Sequence, residues 1–177
     1  MCTRVFWNDN QIAKVASRCM DWEVSDEPEL WFYPRGLDRS GGTQPDAATW
    51  KSLHSSVGLS MWNVGTSDGM NEKGLAAHAL FLDDIHPPTD TGAATITIAM
   101  WAQYVLDRFA SVAEVLEHLG EVQLIAPPIR GQYIGAHLAL EDPSGDSAII
   151  EPINGELVVH HGAEFSVMAN SPNYDEQ

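Results

Sequence analysis

The sequence predicts an α+β domain of stacked layers, and three observations carry that expectation. Segments of β type gather toward the two ends of the chain, two helical segments fall between them, and the βα alternation of a doubly wound parallel sheet is missing. With 177 residues, 44% of them hydrophobic, the chain is long enough to bury one sizeable core, and a single domain over 1–177 is expected.

The elements follow in order. Thr3 to Trp7 and Ile12 to Met20 are rich in β-branched and aromatic residues and flank the turn-forming Asn8-Asp9-Asn10, which predicts a hairpin. Glu23 to Asp46 carries Pro28, Pro34, Gly36, Gly41, Gly42 and Pro45 and reads as a long loop with one short strand near Leu30 to Tyr33. Val57 to Trp62 and Gly74 to Leu82 read as strands separated by a turn-rich run, Gly65-Thr66-Ser67-Asp68-Gly69. Ala93 to Phe109 has helical spacing of apolar residues, and Ser111 with Glu114 forms a capping box that opens a second helix ending at Gly120. From Val122 strands return: Ala136 to Leu140, Ala148 to Glu151, Leu157 to His160 and Phe165 to Ala169, a β-meander with turns at Pro143-Ser144-Gly145-Asp146 and Asn154-Gly155.

Nine basic against 25 acidic residues give a net charge of −16, which argues against nucleic acid or an anionic membrane as partner and favours a small molecule or peptide. The acids are spread along the chain, as on a solvated surface. Cys2 and Cys19 are expected to be free thiols, since one bridge is no disulfide framework. No apolar run has signal-peptide or transmembrane length, so the chain as written is expected to be cytoplasmic, or periplasmic if a native leader precedes Cys2. The histidines, His54, His78, His86, His118, His137, His160 and His161, lack the spacing of a metal site, and Gly65 to Gly74 lacks the context of a phosphate loop. No metal, nucleotide or other cofactor is expected.

Chemistry is expected at Cys2. A small second residue leads to trimming of Met1, after which Cys2 holds a thiol and a free α-amine together, with reference pKa values of about 8.5 and about 7.7–8.0. Proton transfer between such matched groups costs little. The hairpin brings Arg18 toward Cys2, where its permanent charge would favour a thiolate, and Asp21 would then orient the α-amine. By themselves an arginine and an aspartate three apart are an ordinary surface pair.

The wider pattern is more specific. Cys2-Thr3-Arg4, Arg18-Cys19-Met20-Asp21-Trp22, Asp68-Gly69-Met70-Asn71-Glu72-Lys73-Gly74-Leu75, Trp101-Ala102-Gln103-Tyr104-Val105-Leu106-Asp107 and Met168-Ala169-Asn170-Ser171-Pro172 resemble the choloylglycine hydrolase family of N-terminal nucleophile hydrolases, in register from residue 2 to residue 177. That family contains penicillin V acylases and bile salt hydrolases, and the sequence is most similar to the penicillin V acylase-like branch of Gram-negative bacteria. The resemblance implies an αββα sandwich and a linear amide C–N hydrolase. It implies Cys2 as nucleophile, Arg18 as partner of the thiolate, Asp21 as orienter of the amine, Asn170 as side-chain oxyanion donor and the Phe81 N–H as the second donor. An aromatic residue at 81, where bile salt hydrolases tend to have asparagine, favours an apolar acyl group, aromatic or fatty, with Met20, Trp22 and Phe81 lining its pocket. It further implies a homo-oligomer, a tetramer in this family.

Two departures accompany it. The family has a further active-site arginine beyond the Asn-Ser-Pro motif and a chain about twice as long, so these 177 residues are expected to be its N-terminal half, with sheet edges and a face left uncovered and prone to self-association. The alternatives are an inactive remnant acting as a binding or oligomerising module, and an amidase for conjugated bile salts or N-acyl homoserine lactones.

Overall fold

The structure is a computed structural model that describes residues 1–21, 27–129 and 131–177. The expected hairpin is present as β1 (Thr3–Trp7) and β2 (Val15–Cys19), with Thr3 opposite Cys19 and Arg4 opposite Arg18. Its turn is held locally, because the Asn10 side chain accepts from the Ile12 and Ala13 amides at 3.0 and 2.7 Å. The short strand expected near Leu30 is β3 (Glu29–Tyr33). The segment read as a long loop holds one more strand, β4 (Asp38–Ser40), paired with β5 (Thr49–Lys51).

β6 (Ser56–Met61), β7 (Gly65–Asn71) and β8 (Ala76–Phe81) are consecutive antiparallel neighbours. The run Gly65 to Gly69, expected to be a turn, is the greater part of β7. The helical reading of Ala93 to Phe109 also needs correction at its start: Thr95–Thr97 forms β9, and α1 spans Ile98–Arg108. Three successive β-branched residues, Thr95, Ile96 and Thr97, suit a strand better than a helix. The turn signal in β7 has a tertiary explanation in this helix. A Cβ on Gly65 would lie 2.1 Å from the Ala99 carbonyl oxygen, and one on Gly69 would lie 2.7 Å from Leu106 Cδ1. Glycine is there because α1 presses on the strand.

α2 (Val112–Glu117) starts as the sequence indicates, with Ser111 Oγ accepting from the Glu114 amide at 3.2 Å. The Glu114 carboxylate returns to the Ala110 amide, one residue before the position of a standard capping box. α2 closes three residues before Gly120, and a 3₁₀ turn over Leu119–Glu121 leads to β10 (Gln123–Ile125), which pairs in parallel with β9. β11 (Ala136–Glu141), β12 (Ser147–Ile153) and β13 (Glu156–His161) form the expected meander. The last strand, β14 (Val167–Ala169), leaves it and joins β1 instead.

The strands make a seven-stranded sheet, β13-β12-β11-β8-β7-β6-β3, and a three-stranded sheet, β14-β1-β2. Residue parity along the central strands sorts the two faces of the larger sheet. Ala77, Leu138, Leu140, Ala148 and Ile150 pack with Trp101, Val105, Leu106, Val112 and Val115 of the helices. Leu80, Ala139 and Ile149 point the other way, onto Cys2 and Met168 of the three-stranded sheet. The order is therefore helices, large sheet, small sheet, which is an α+β stack of three layers. Each large apolar side chain so buried contributes about 1.5–3 kcal/mol. The outer face of the small sheet carries Val5, Trp7, Val15 and Val167 exposed, and the edge strand β3 exposes Leu30 and Phe32.

Candidate active site

Between the two sheets the inward positions are not all apolar. On β1 the inward residues are Arg4 and Phe6, both buried, and on β8 His78 shares its face with Leu80. Arg4 is completely enclosed and donates to Glu141 through Nε at 3.0 Å and through Nη2, to the Phe165 carbonyl at 3.1 Å and to Ser147 Oγ at 2.9 Å. Glu141 in turn faces His78, whose Nε2 lies 2.5 Å from Oε1. The other ring nitrogen, Nδ1, lies 2.7 Å from Asp68 Oδ1. Asp68 accepts from Arg18 Nη1 through its second oxygen, and Arg18 Nη2 lies 3.6 Å from Cys2 Sγ. A ladder of alternating charge thus runs across both sheets: Arg4, Glu141, His78, Asp68, Arg18, Cys2.

Both nitrogens of His78 face carboxylate oxygens, which only accept hydrogen bonds, so each nitrogen must donate. Burial alone would push the imidazole pKa down, but the hydrogen bonds to Asp68 and Glu141 and the charges behind them outweigh it and raise it to about 9. His78 is an imidazolium at neutral pH. For Glu141, burial favours the neutral acid, yet His78 and Arg4 hold its carboxyl below the usual range.

Cys2 is buried at 3% exposure and forms part of the floor of a cavity of about 110 Å³. The cavity opens where two neighbouring strands part. The β7–β8 ladder runs only from Met70↔Ala76 to Asp68↔His78, and beyond it Gly65, Thr66 and Ser67 stand on one side with Ala79, Leu80 and Phe81 on the other. Met20, Met61, Ile129 and Ile134 add to a mostly apolar lining, in which Arg18 is the charged member among the described residues.

The expected site residues fall as follows. Cys2, Arg18, Met20 and Phe81 share this cavity. Asn170 follows Ala169, which is opposite Thr3, so register places residue 170 beside Cys2. It is also tied to the cavity wall, because the amide of Ser171 donates to the Phe81 carbonyl at 3.2 Å. Asn170 is buried, and its Oδ1 has no partner among the described residues. The strand end that carries it is braced by His137, which bonds the Ala169 carbonyl at 2.9 Å and Glu151 at 2.9 Å, while Glu151 also accepts from the Tyr174 amide. Asp21 is exposed, and its backbone carbonyl accepts from the Met1 ammonium at 3.1 Å. Its carboxylate makes no hydrogen bond to Cys2 among the described residues, and the α-amine of this chain belongs to Met1. Trp22 lies outside the described residues.

Sequence reasoning missed four members of the ladder, Arg4, Asp68, His78 and Glu141. Arg4 and Asp68 stand inside recognised motifs, and one signal was readable: a charged residue at an inward position of a strand, Arg4 beside Phe6, needs a buried counter-charge. Nothing in the sequence says which carboxylate supplies it.

Two packed antiparallel sheets, helices on the outer face of one, and a thiol at the start of an inner strand of the other are the layout of an N-terminal nucleophile hydrolase domain. The chain belongs to the choloylglycine hydrolase family of linear amide C–N hydrolases, whose family model matches residues 2–177. It is 41% identical over 190 residues to a penicillin V acylase of Pectobacterium atrosepticum, covering 99% of this chain and 50% of that protein. It is 27% identical over 186 residues to a bile salt hydrolase/transferase of Clostridium perfringens, covering 99% and 55%. Among solved structures, the penicillin V acylase of Agrobacterium tumefaciens superimposes with a TM-score of 0.88 at 40% identity, over 99% of this chain and 54% of that one. A conjugated bile acid hydrolase variant from Clostridium perfringens, at 24% identity and a TM-score of 0.82, shares the fold. The chain spans about half the length of the relatives it matches.

Proposed function

We propose that this chain is the nucleophile-bearing part of a penicillin V acylase-like amidase that releases an apolar acyl group, aromatic or fatty, from a linear amide. One observation carries the reading: the Cys2 thiol is within 3.6 Å of the Arg18 guanidinium at the floor of an apolar cavity. A thiol so placed has a cation to stabilise its anion and an apolar wall to hold an acyl chain against it.

In the sequence as written the α-nitrogen of Cys2 is tied up in the Met1–Cys2 peptide bond, so the first step in this reading is removal of Met1. The freed amine then takes the thiol proton, and the sulfur attacks the amide carbonyl carbon. The Asn170 side-chain N–H and the Phe81 backbone N–H receive the developing oxyanion; one such donor is typically worth about 10²–10³ in rate. As the C–N bond breaks, the α-ammonium gives its proton to the departing amine. Water then adds to the thioester with the α-amine as base, which restores the thiol and releases the acid. Asp21, three residues beyond Arg18, is assigned the orientation of the freed amine. No external cofactor enters these steps.

The cavity wall supports an apolar acyl group over a polar one. Phe81, Met20 and Met61 present rings and thioethers, and Met20 and Met61 can adjust to the shape of a phenoxy ring or an alkyl chain. The experiment is Cys2→Ala in the full-length protein, assayed for release of phenoxyacetate from penicillin V and of fatty acid from N-acyl amides. Turnover should vanish with the unfolding transition unchanged; hydrolysis surviving in Cys2→Ala defeats the assignment.

A further inference from the structure

We propose that His78 is a positioning residue for Cys2: clamped as an imidazolium between Asp68 and Glu141, it fixes the carboxylate that aims Arg18 and supplies the positive charge that a Cys2 thiolate balances. The proposal rests on the amidase reading for its purpose but not for its test.

Geometry comes first. Arg18 reaches the thiol with Nη2 and Asp68 with Nη1, and its Nε is buried without a partner among the described residues. The guanidinium is therefore held by Asp68 at one corner and faces sulfur at the other, so the direction of Arg18 depends on where Asp68 is held. Asp68 lies on β7 at the last rung of the β7–β8 ladder, directly opposite His78. The imidazole of His78 bonds one Asp68 oxygen at 2.7 Å, and Arg18 takes the other. His78 is in turn fixed by Glu141 of β11, and Glu141 by Arg4 of β1. Each member holds the next, and the chain of contacts ends on sulfur.

Charge comes second. The groups facing one another here are Arg4 from β1, Arg18 from β2, Asp68 from β7, His78 from β8 and Glu141 from β11. With His78 protonated, three cations meet two carboxylates among the described residues, and one positive charge is left over in a largely buried layer. A thiolate at Cys2 cancels that excess. With His78 neutral, the cations and carboxylates of the ladder already balance, and once Met1 is removed a thiolate has only the α-ammonium of its own residue as added counter-charge. The residue at position 78 thereby decides whether the site favours the anionic sulfur, although it never touches the sulfur.

The test is Cys2 alkylation by iodoacetamide from pH 5 to pH 10 in the full-length protein, read by peptide mass so that the exposed Cys19 is scored separately. Wild type is compared with His78→Gln. The midpoint of the Cys2 profile should move up by at least one pH unit in His78→Gln, so that labelling below the midpoint slows at least tenfold, while the Cys19 profile stays put. Coincident Cys2 profiles in two folded proteins overturn the proposal. If His78→Gln does not fold, the ¹⁵N shifts of His78 in the wild type decide: an imidazolium at pH 7.5 sustains it, and a neutral ring overturns it. Alkylation needs no turnover, so a wild type that hydrolyses no amide yet shows the shift defeats only the amidase reading. Turnover with an unshifted profile defeats only this one.

Discussion

Replacing Arg4 by methionine tests whether the charge ladder is structural as well as chemical. The arginine side chain has no exposure, and it joins the small sheet to the large one by contacts to Glu141, the Phe165 carbonyl, the Leu140 carbonyl and Ser147 Oγ. Methionine fills a similar length but donates nothing. Glu141 would keep His78 as a partner while losing its second cation, and two carbonyls and a hydroxyl would lose a donor at a buried position. Removing one partner of a buried ion pair costs roughly 3–5 kcal/mol, chiefly because the other charge is left behind. With a urea m-value of about 1–3 kcal/mol/M, the unfolding midpoint should fall by about 2 M. Equilibrium urea unfolding followed by tryptophan fluorescence measures it, with Arg35→Met as control. The Arg35–Glu72 pair sits at the surface, where solvent screens it, and its loss should leave the midpoint in place. A drop below about 1 kcal/mol for Arg4→Met, or equal effects of the two variants, would refute the argument that burial makes the difference.

Three further outcomes are expected. The His78 pKa is raised from 6.5 to about 9, so its stabilisation is fully present below about pH 6.5 and is lost as pH rises through 9; the stability lost by pH 10 should approach ~3 kcal/mol, read from thermal or urea unfolding at each pH, and this alkaline decline should be absent in His78→Gln. Toward acid the sign reverses: Glu141 and Glu151 are held below the ordinary carboxylate range, so the stability they provide is present above that range and disappears as pH falls through their lowered values, giving an acid unfolding transition that Glu151→Gln should diminish. Gly65→Ala should cost about 1–3 kcal/mol by denaturant unfolding, because its Cβ would meet the Ala99 carbonyl oxygen of α1 at 2.1 Å and rigid backbone cannot yield as a side chain does.

Local pattern was a good guide where a segment's own neighbours decide its form. The β1–β2 hairpin depends on β-branched residues and an Asn-rich turn, the α2 N-terminus on Ser111, and the β11–β13 meander on alternation and Gly turns, all within a few residues of chain. It failed where a distant element set the requirement. Gly65 and Gly69 resemble turn residues because glycine is usually found in turns, yet here they admit α1 against β7. Phe165 to Ala169 resembles one more strand of the meander, but β14 crosses to β1, a choice made by pairing with the other end of the chain, Thr3 with Ala169.

The same division runs through the candidate site. The sequence by itself determined that Cys2 stands at the start of the first strand, that the hairpin brings Arg18 back toward it at the end of the second, and, through motifs spread from residue 2 to residue 177, which family the chain belongs to. Those are properties of short segments and of their composition, which a reading along the chain can reach. The tertiary structure alone decided that Arg18 would be aimed by Asp68, Asp68 by His78, and His78 by Glu141 and Arg4, side chains up to 137 positions apart. Charges so far apart in sequence meet only because two sheets stack with these residues inward. A buried charge is tolerated only beside its opposite, so which partner each one found was settled by packing and could not be read along the chain.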